Sequence, residues 1–257
     1  ATHSGELYFE VLFWGAGHTL QFTHTLLLLV AWVWLAQVCG AKFTQKPVLL
    51  AGLCVLTILP IVLVPWIYLS APVESVTHRI GFTKLMQYGG LACLPLGVIA
   101  VWQLITMPKA VDEVKPMKSA LIASFILFSA GGIIGFLIEG VNVVIPAHYH
   151  GSIVGVTLSF MGVAYLLMPK LGLGQPNVRL ANIQPYVYGG GQLMHILGLA
   201  WSGGYGVQRK TAGAAQGLDR LPEVLGMGMM GLGGLISTIG GLLFLIVIIK
   251  AWRDKQK

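Results

Sequence analysis

Two histidines one residue apart, in the stretch VVIPAHYHGSIVG (Val143 to Gly155), stand at the start of a strongly apolar run. Successive residues of a helix are rotated by about 100°, so His148 and His150 point about 200° apart, toward nearly opposite sides of one helix. That separation does not suit a shared small metal ion. It suits two flat cofactors flanking the helix, each with a neutral imidazole as axial ligand to haem iron. A hydrogen-bonded histidine pair at a membrane surface, just after Pro146, is the other reading that the spacing leaves open.

The elements that must position these residues follow from composition. Of the 257 residues, 56% are hydrophobic and 10% charged, against a charged share of about 25% in soluble domains. Crossing roughly 30 Å of hydrocarbon takes about 20 apolar residues. Seven stretches qualify, at about 8–38, 47–70, 84–107, 117–139, 147–169, 183–206 and 226–251. Lipid offers no partner for backbone N–H and C=O groups, so helices are expected, and the alternating pattern of an outer-membrane barrel is absent. The expectation is all-α: one polytopic transmembrane domain over 1–257, a bundle of seven spans with no room in its links for a soluble domain. The first residues, ATHSGELYFE, lack the basic segment of a signal peptide.

Seven spans assign eleven Lys and Arg residues to one face and five (Arg79, Lys84, Arg209, Lys210 and Arg220) to the other. The positive-inside rule then puts the C-terminus in the cytoplasm. A net charge of +7 is thereby mostly topological, and it calls for no nucleic acid. The segment VQRKTAGAAQGLDRLP carries Arg209 and Lys210 outward against that trend, which asks for a local reason.

Weaker signals read as packing. Cys39, Cys54 and Cys93 form no CxxC pair and behave as small apolar residues. GMGMMG (Gly226 to Gly231) matches a dinucleotide pattern, yet no strand precedes it. Its small residues suit close helix approach in lipid. Ionisable groups inside spans are functional by default. His24 lies about 240° around the helix from His18 and faces another side, where packing, an interhelical hydrogen bond or a site role are all open. His78 reads as a loop or interface residue, Glu139 as a boundary carboxylate or part of a proton path, and His3 as part of a tail.

The stretch VVIPAHYHGSIVGVTLSFMGVAYLLMPKLG resembles the helix of haem-copper oxidase catalytic subunits in which a His-x-His pair precedes a small-residue-rich apolar run. In that family, which includes cytochrome c oxidase subunit I and the nitric oxide reductase large subunit, the first histidine binds the high-spin haem and the second the low-spin haem. The resemblance assigns those roles to His148 and His150. LYFEVLFWGAGH is similar to the sixth helix of the family, whose histidine ligates copper, or non-haem iron in nitric oxide reductases; it maps to His18. QLMHILGLAWSGGYGVQRK is similar to the eleventh helix and the loop after it, where a basic pair meets haem propionates. Arg209 and Lys210 fall on that pair, and His195 falls near the haem periphery in a supporting role. The chain would then be half of a twelve-helix fold, helices six to twelve.

The departures bear on chemistry. The adjacent His-His pair that completes the second-metal site is replaced by Ile67 and Tyr68, and Phe22 stands where oxygen-reducing members carry a tyrosine. One imidazole is too few donors for selective copper, so weak copper or non-haem iron binding is expected. The low-spin haem needs a second histidine from helices one to five, which must come from another chain or an equivalent subunit. The resemblance therefore implies a haem-binding subunit of a respiratory electron-transfer complex in a bacterial or archaeal cytoplasmic membrane, served by a c-type cytochrome or quinol, with O2 or NO as candidate substrate. A non-catalytic electron-transfer or structural subunit with a degenerate metal site is the alternative.

Overall fold

The computed structural model describes residues 5–42, 47–211 and 213–255. It is helical throughout, with no strand among the described residues. Among the described residues, six stretches are long and apolar enough to cross a membrane. A further helix is 27 residues long but less apolar in composition, and several of its polar side chains are buried inside the unit. The chain divides into two compact units, one of residues Ala1–Gln37 and Ala41–Met107, the other of Val38–Gly40 and Pro108–Lys257.

In the first unit, α1 spans Glu6–Val38. The second membrane stretch, Pro47–Ser70, is α2 (Pro47–Ile58), a 3-10 segment and α3 (Val64–Ser70). The third, Val76–Thr106, comprises α4 (Val76–Lys84), a π-helical turn, a 3-10 turn and α5 (Leu94–Thr106). The breaks have covalent causes. Pro60, Pro65 and Pro95 each fall in the first two positions of a new segment, where a missing N–H costs nothing, whereas inside a helix the ring would clash with the preceding turn.

The third stretch begins earlier than the hydropathy pattern predicts, at 76 rather than 84. VTHRIGFT is too polar to read as a span, but Ser75 caps it by accepting the His78 backbone N–H at 3.1 Å. Phe82 and His78 are then fully buried.

The second unit contains α6 (Lys115–Gly135), α7 (Val144–Lys170), α8 (Val178–Gly204) and α9 (Leu221–Lys255). Short connections make sequential neighbours antiparallel. α6 packs on α7 and α8 on α9, with α8 also touching α6 and α7. The α6 helix stops at Gly135, before the expected 139, where the Phe136 and Leu137 N–H groups close three-residue turns onto Ile133 and Ile134.

Glycine sets the separation of α8 and α9. Gly226, Gly233 and Gly240 recur every seven residues on α9, facing Gly198, His195 and Tyr188 of α8. An added Cβ at Gly240 would lie 2.5 Å from the Tyr188 Cα, and one at Gly198 would lie 2.5 Å from the Gly226 carbonyl oxygen. Close approach of this kind replaces hydrophobic driving force between helices in lipid. The polar residues of α8 are satisfied inside. The Tyr165 hydroxyl donates to Gln184 Oε1 at 2.9 Å, the Gln184 amide donates to the Gly240 carbonyl at 3.1 Å, and the Ser237 hydroxyl donates to Gln192 Oε1 at 3.1 Å.

Candidate functional site

His148 lies in the first turns of α7, and its Nδ1 is 2.8 Å from the Gly131 carbonyl oxygen of α6. A carbonyl can only accept, so Nδ1 carries the proton and, in the neutral ring, Nε2 keeps the lone pair that can bind a metal. Two glycines make the contact possible. A Cβ on Gly131 would sit 2.5 Å from the Ser152 nitrogen, and one on Gly135 would sit 2.7 Å from His148 Nδ1.

His150 faces the other side of α7, toward α8 and α9. His195 Nδ1 lies 2.9 Å from the Met230 carbonyl oxygen, so it donates there. With both rings neutral, His195 Nε2 then accepts from His150 Nδ1–H across 3.0 Å. The chain of donors ends with the His150 Nε2 lone pair available. Metal-binding histidines are oriented in this way by a partner on the other ring nitrogen. Beside His150 is an open cavity of about 510 Å³, whose α9 wall is built from Gly234, Ser237, Thr238 and Gly241.

Arg209 is half-buried and Lys210 exposed in the loop after α8. Lys210 adopts left-handed backbone with φ of 61°. Val207, just before the pair, is buried, and its carbonyl accepts the Val143 N–H at 3.0 Å, which ties the loop to the start of α7. The basic pair thus lies at the end of the unit where His148 and His150 are found.

A clamp at the start of α9 holds the other end of this loop. Glu223 is buried. Its carboxylate accepts from the Asp219 and Arg220 N–H groups, both at 3.0 Å, and from Arg220 Nε at 2.8 Å, while the Arg220 guanidinium donates to the Tyr205 carbonyl at 2.7 Å. Sequence reasoning passed over Glu223. The signal was present in Arg220-Leu-Pro-Glu223, with proline at a helix start and opposite charges three residues apart.

In the first unit, His18 is half-buried on α1 with Nδ1 donating to the Trp14 carbonyl at 2.7 Å. Its Nε2 is likewise left as the ligand-capable nitrogen. The Trp14 indole lies tilted against the His18 ring, with centroids 4.4 Å apart, and donates to the Arg79 carbonyl at 3.3 Å. Ile67 packs against the Phe82 cluster, and the Tyr68 ring lies 4.9 Å from that of His78. His78 belongs to α4 rather than to a loop, and neither of its ring nitrogens has a hydrogen-bond partner among the described residues. His24 is exposed on α1, Phe22 is buried, and Glu139 is exposed between α6 and α7. His3 lies outside the described residues. No group of three or more His, Cys, Asp or Glu gathers for a metal ion among the described residues. An axial haem ligand needs no such cluster, since a single imidazole occupies a coordination position of the iron.

No family model matches the chain. It is 32% identical over 280 aligned positions to an uncharacterized protein of Rickettsia prowazekii (strain Madrid E), covering 94% of this chain and 54% of that protein. It is 30% identical over 165 positions to an uncharacterized protein of Aquifex aeolicus (strain VF5), covering 64% of this chain and 40% of the relative. The chain therefore spans about half the length of the curated relatives it matches.

Proposed function

We propose that this chain is a haem-bearing part of a membrane electron-transfer complex related to the haem-copper oxidases, with His148 and His150 as axial ligands to two separate haems. One observation carries the reading: two imidazoles on α7, two positions apart, are fixed through Nδ1 on opposite sides of the helix, and each keeps Nε2 for a ligand. The donor set fits the group, because a neutral imidazole of fixed tautomer is what an axial position requires.

When bound, haem iron supplies one-electron chemistry and, where one axial position stays open, a place for O2 or NO. The protein's own part is orientation and charge. Gly131 holds His148, Met230 and His195 hold His150, and Arg209 and Lys210 supply positive charge for haem propionates at the same end of the unit. A second axial ligand for the His150 haem would come from outside this chain's sequence, from helices one to five of the fold or an equivalent subunit, and the greater length of the relatives supports such a segment. A c-type cytochrome or quinol would deliver electrons. The membrane would be a bacterial or archaeal cytoplasmic membrane, with the C-terminus inside.

The identities of Ile67 and Tyr68 favour a second reading, a non-catalytic electron-transfer or structural subunit with a degenerate second-metal site that lacks the imidazoles for oxidase turnover. Optical spectra, carbon monoxide titration and metal analysis of the purified complex test both. The first reading expects two haems with one binding carbon monoxide; two haems with no carbon monoxide response favours the second. A purified, folded complex with no Soret band would sink both.

A further inference from the structure

The basic residues of the second unit gather at one end. Lys109, Lys115, Lys118, Lys170, Arg179, Lys250, Arg253 and Lys255 lie at the end formed by the starts of α6 and α8 and the finishes of α7 and α9. Only Arg209, Lys210 and Arg220 lie at the other, among the described residues. Lys170 ends α7, Arg179 lies at the start of α8, and Lys250, Arg253 and Lys255 share α9, where Lys250 and Arg253 line a separate cavity together with the carboxylate of Asp254. Three converge on a single cavity of about 420 Å³ between α6 and α8, lined by Lys109, Lys115 and Lys118.

The lining of that cavity contains no carboxylate. Lys115 is paired with Asp112 at 2.6 Å, and Lys118 donates to the Pro108 carbonyl at 2.9 Å. Lys109 has no ion-pair partner among the described residues. Neutral donors complete the polar side. The Ser119 hydroxyl donates to Asn182 Oδ1 at 2.5 Å, which leaves the Asn182 amide N–H groups available on a lining residue. The remaining wall includes Ile122 and Tyr186, an aliphatic and an aromatic side chain on the flanks of the two helices. Tyrosine at such a position suits the boundary between headgroups and hydrocarbon.

We infer that this cavity binds the phosphate of an anionic phospholipid, with the lysines and Asn182 around the headgroup and Ile122 and Tyr186 against the first acyl carbons. Cation-rich pockets between membrane helices recognise such headgroups, and each lysine near the surface contributes a measurable share of the attraction. Charge alone would be satisfied by free phosphate. The apolar wall beside the lysines is what commits the site to a lipid.

The test uses the purified chain in phosphatidylcholine vesicles with spin-labelled phosphatidylglycerol or spin-labelled phosphatidylcholine as probe, read by the motionally restricted fraction in the EPR spectrum. The expected result is preferential association of phosphatidylglycerol. Lys109→Gln should reduce that preference about fivefold, and Lys109→Gln with Lys118→Gln should reduce it further. Lys250→Gln with Arg253→Gln, at the same end but away from the cavity, should leave it nearly unchanged. Lys109 makes no ion pair that the substitution would break, so an unchanged helical circular dichroism spectrum keeps the comparison valid. Equal association of both lipids, or equal losses from both sets of variants, would overturn the site in favour of diffuse surface charge. Displacement of phosphatidylglycerol by millimolar inorganic phosphate at constant ionic strength would overturn the lipid assignment in favour of a free anion.

Discussion

His150 Nδ1 lies 3.0 Å from His195 Nε2, and His195 Nδ1 lies 2.9 Å from the Met230 carbonyl, so a main-chain oxygen on α9 orients an imidazole on α7 through a histidine on α8. Removing the middle member frees the His150 ring. If His150 holds a haem as proposed, His195→Leu should weaken retention of that haem by about 10- to 100-fold, as loss of a partner to a metal ligand does. The check is transfer of haem to apomyoglobin: rapid transfer of the six-coordinate species alone is expected, and unaltered retention of both species would count against the relay.

His148 and His150 face different helices, so their losses should be separable. Under the proposed two-haem assignment, His148→Ala should abolish a carbon monoxide-binding haem and leave a six-coordinate spectrum. His150→Ala should do the reverse. If both variants lose the same single species, the assignment of two haems fails.

Gly131 is where the backbones of α6 and α7 come together. The methyl of Gly131→Ala would fall 2.5 Å from the Ser152 nitrogen and 2.8 Å from the Gly151 carbonyl carbon. Main chain cannot step aside as a flexible side chain can, so overpacking should destabilise the protein by about 1–3 kcal/mol. Thermal unfolding in detergent measures this, and Gly132→Ala, with open space around the new Cβ, is the control expected to show little change.

Glu223 ties the 205–220 loop to α9 through Arg220, whose guanidinium also reaches the Tyr205 carbonyl. Glu223→Gln keeps the shape but removes the charge opposite Arg220. The expected outcome is faster trypsin cleavage after Arg209, Lys210 and Arg220, detected by mass spectrometry of the fragments. Cleavage no faster than in the parent would show that the clamp does not restrain the loop.

Cys39 lies just beyond the first membrane stretch and is buried, which pushes its thiol up to about 11, with Lys118 drawing it partly back. Below that value the group is a neutral thiol, and the reactive thiolate appears only as pH rises toward it. At pH 8 the thiolate fraction should be about one in a thousand, against about one in four for a free cysteine. Maleimide labelling of a variant retaining only Cys39 should be slow at pH 8 and accelerate with pH; rapid labelling at pH 8 in the folded state would contradict the burial.

The histidine pair was legible because helical rotation is fixed: two positions on one helix must diverge, whatever surrounds them. Most spans were legible because lipid leaves apolar length as a strong signal. The start of α4 was not, since its capping by Ser75 and the burial of His78 against Tyr68 and Phe82 depend on tertiary contacts that polarity alone conceals. The same holds for His195. Its spacing on α8 says nothing of Met230, which is 35 positions away in sequence. The breaks at Pro60, Pro65 and Pro95 were available from residue type, but hydropathy averages across them.

At Gly191, Gly198, Gly226, Gly233 and Gly240, the contact between α8 and α9 is largely main chain against main chain. Forming such a contact immobilises few side-chain torsions at those positions, so little rotamer entropy is lost. His195 stands on that seam, with Gly233 directly against its backbone. The imidazole is consequently carried by a frame whose spacing is set by peptide geometry rather than by adjustable side chains. Its aim toward His150 is built into the seam as the helices associate, a form of pre-organisation that leaves little rearrangement for a ligand to drive.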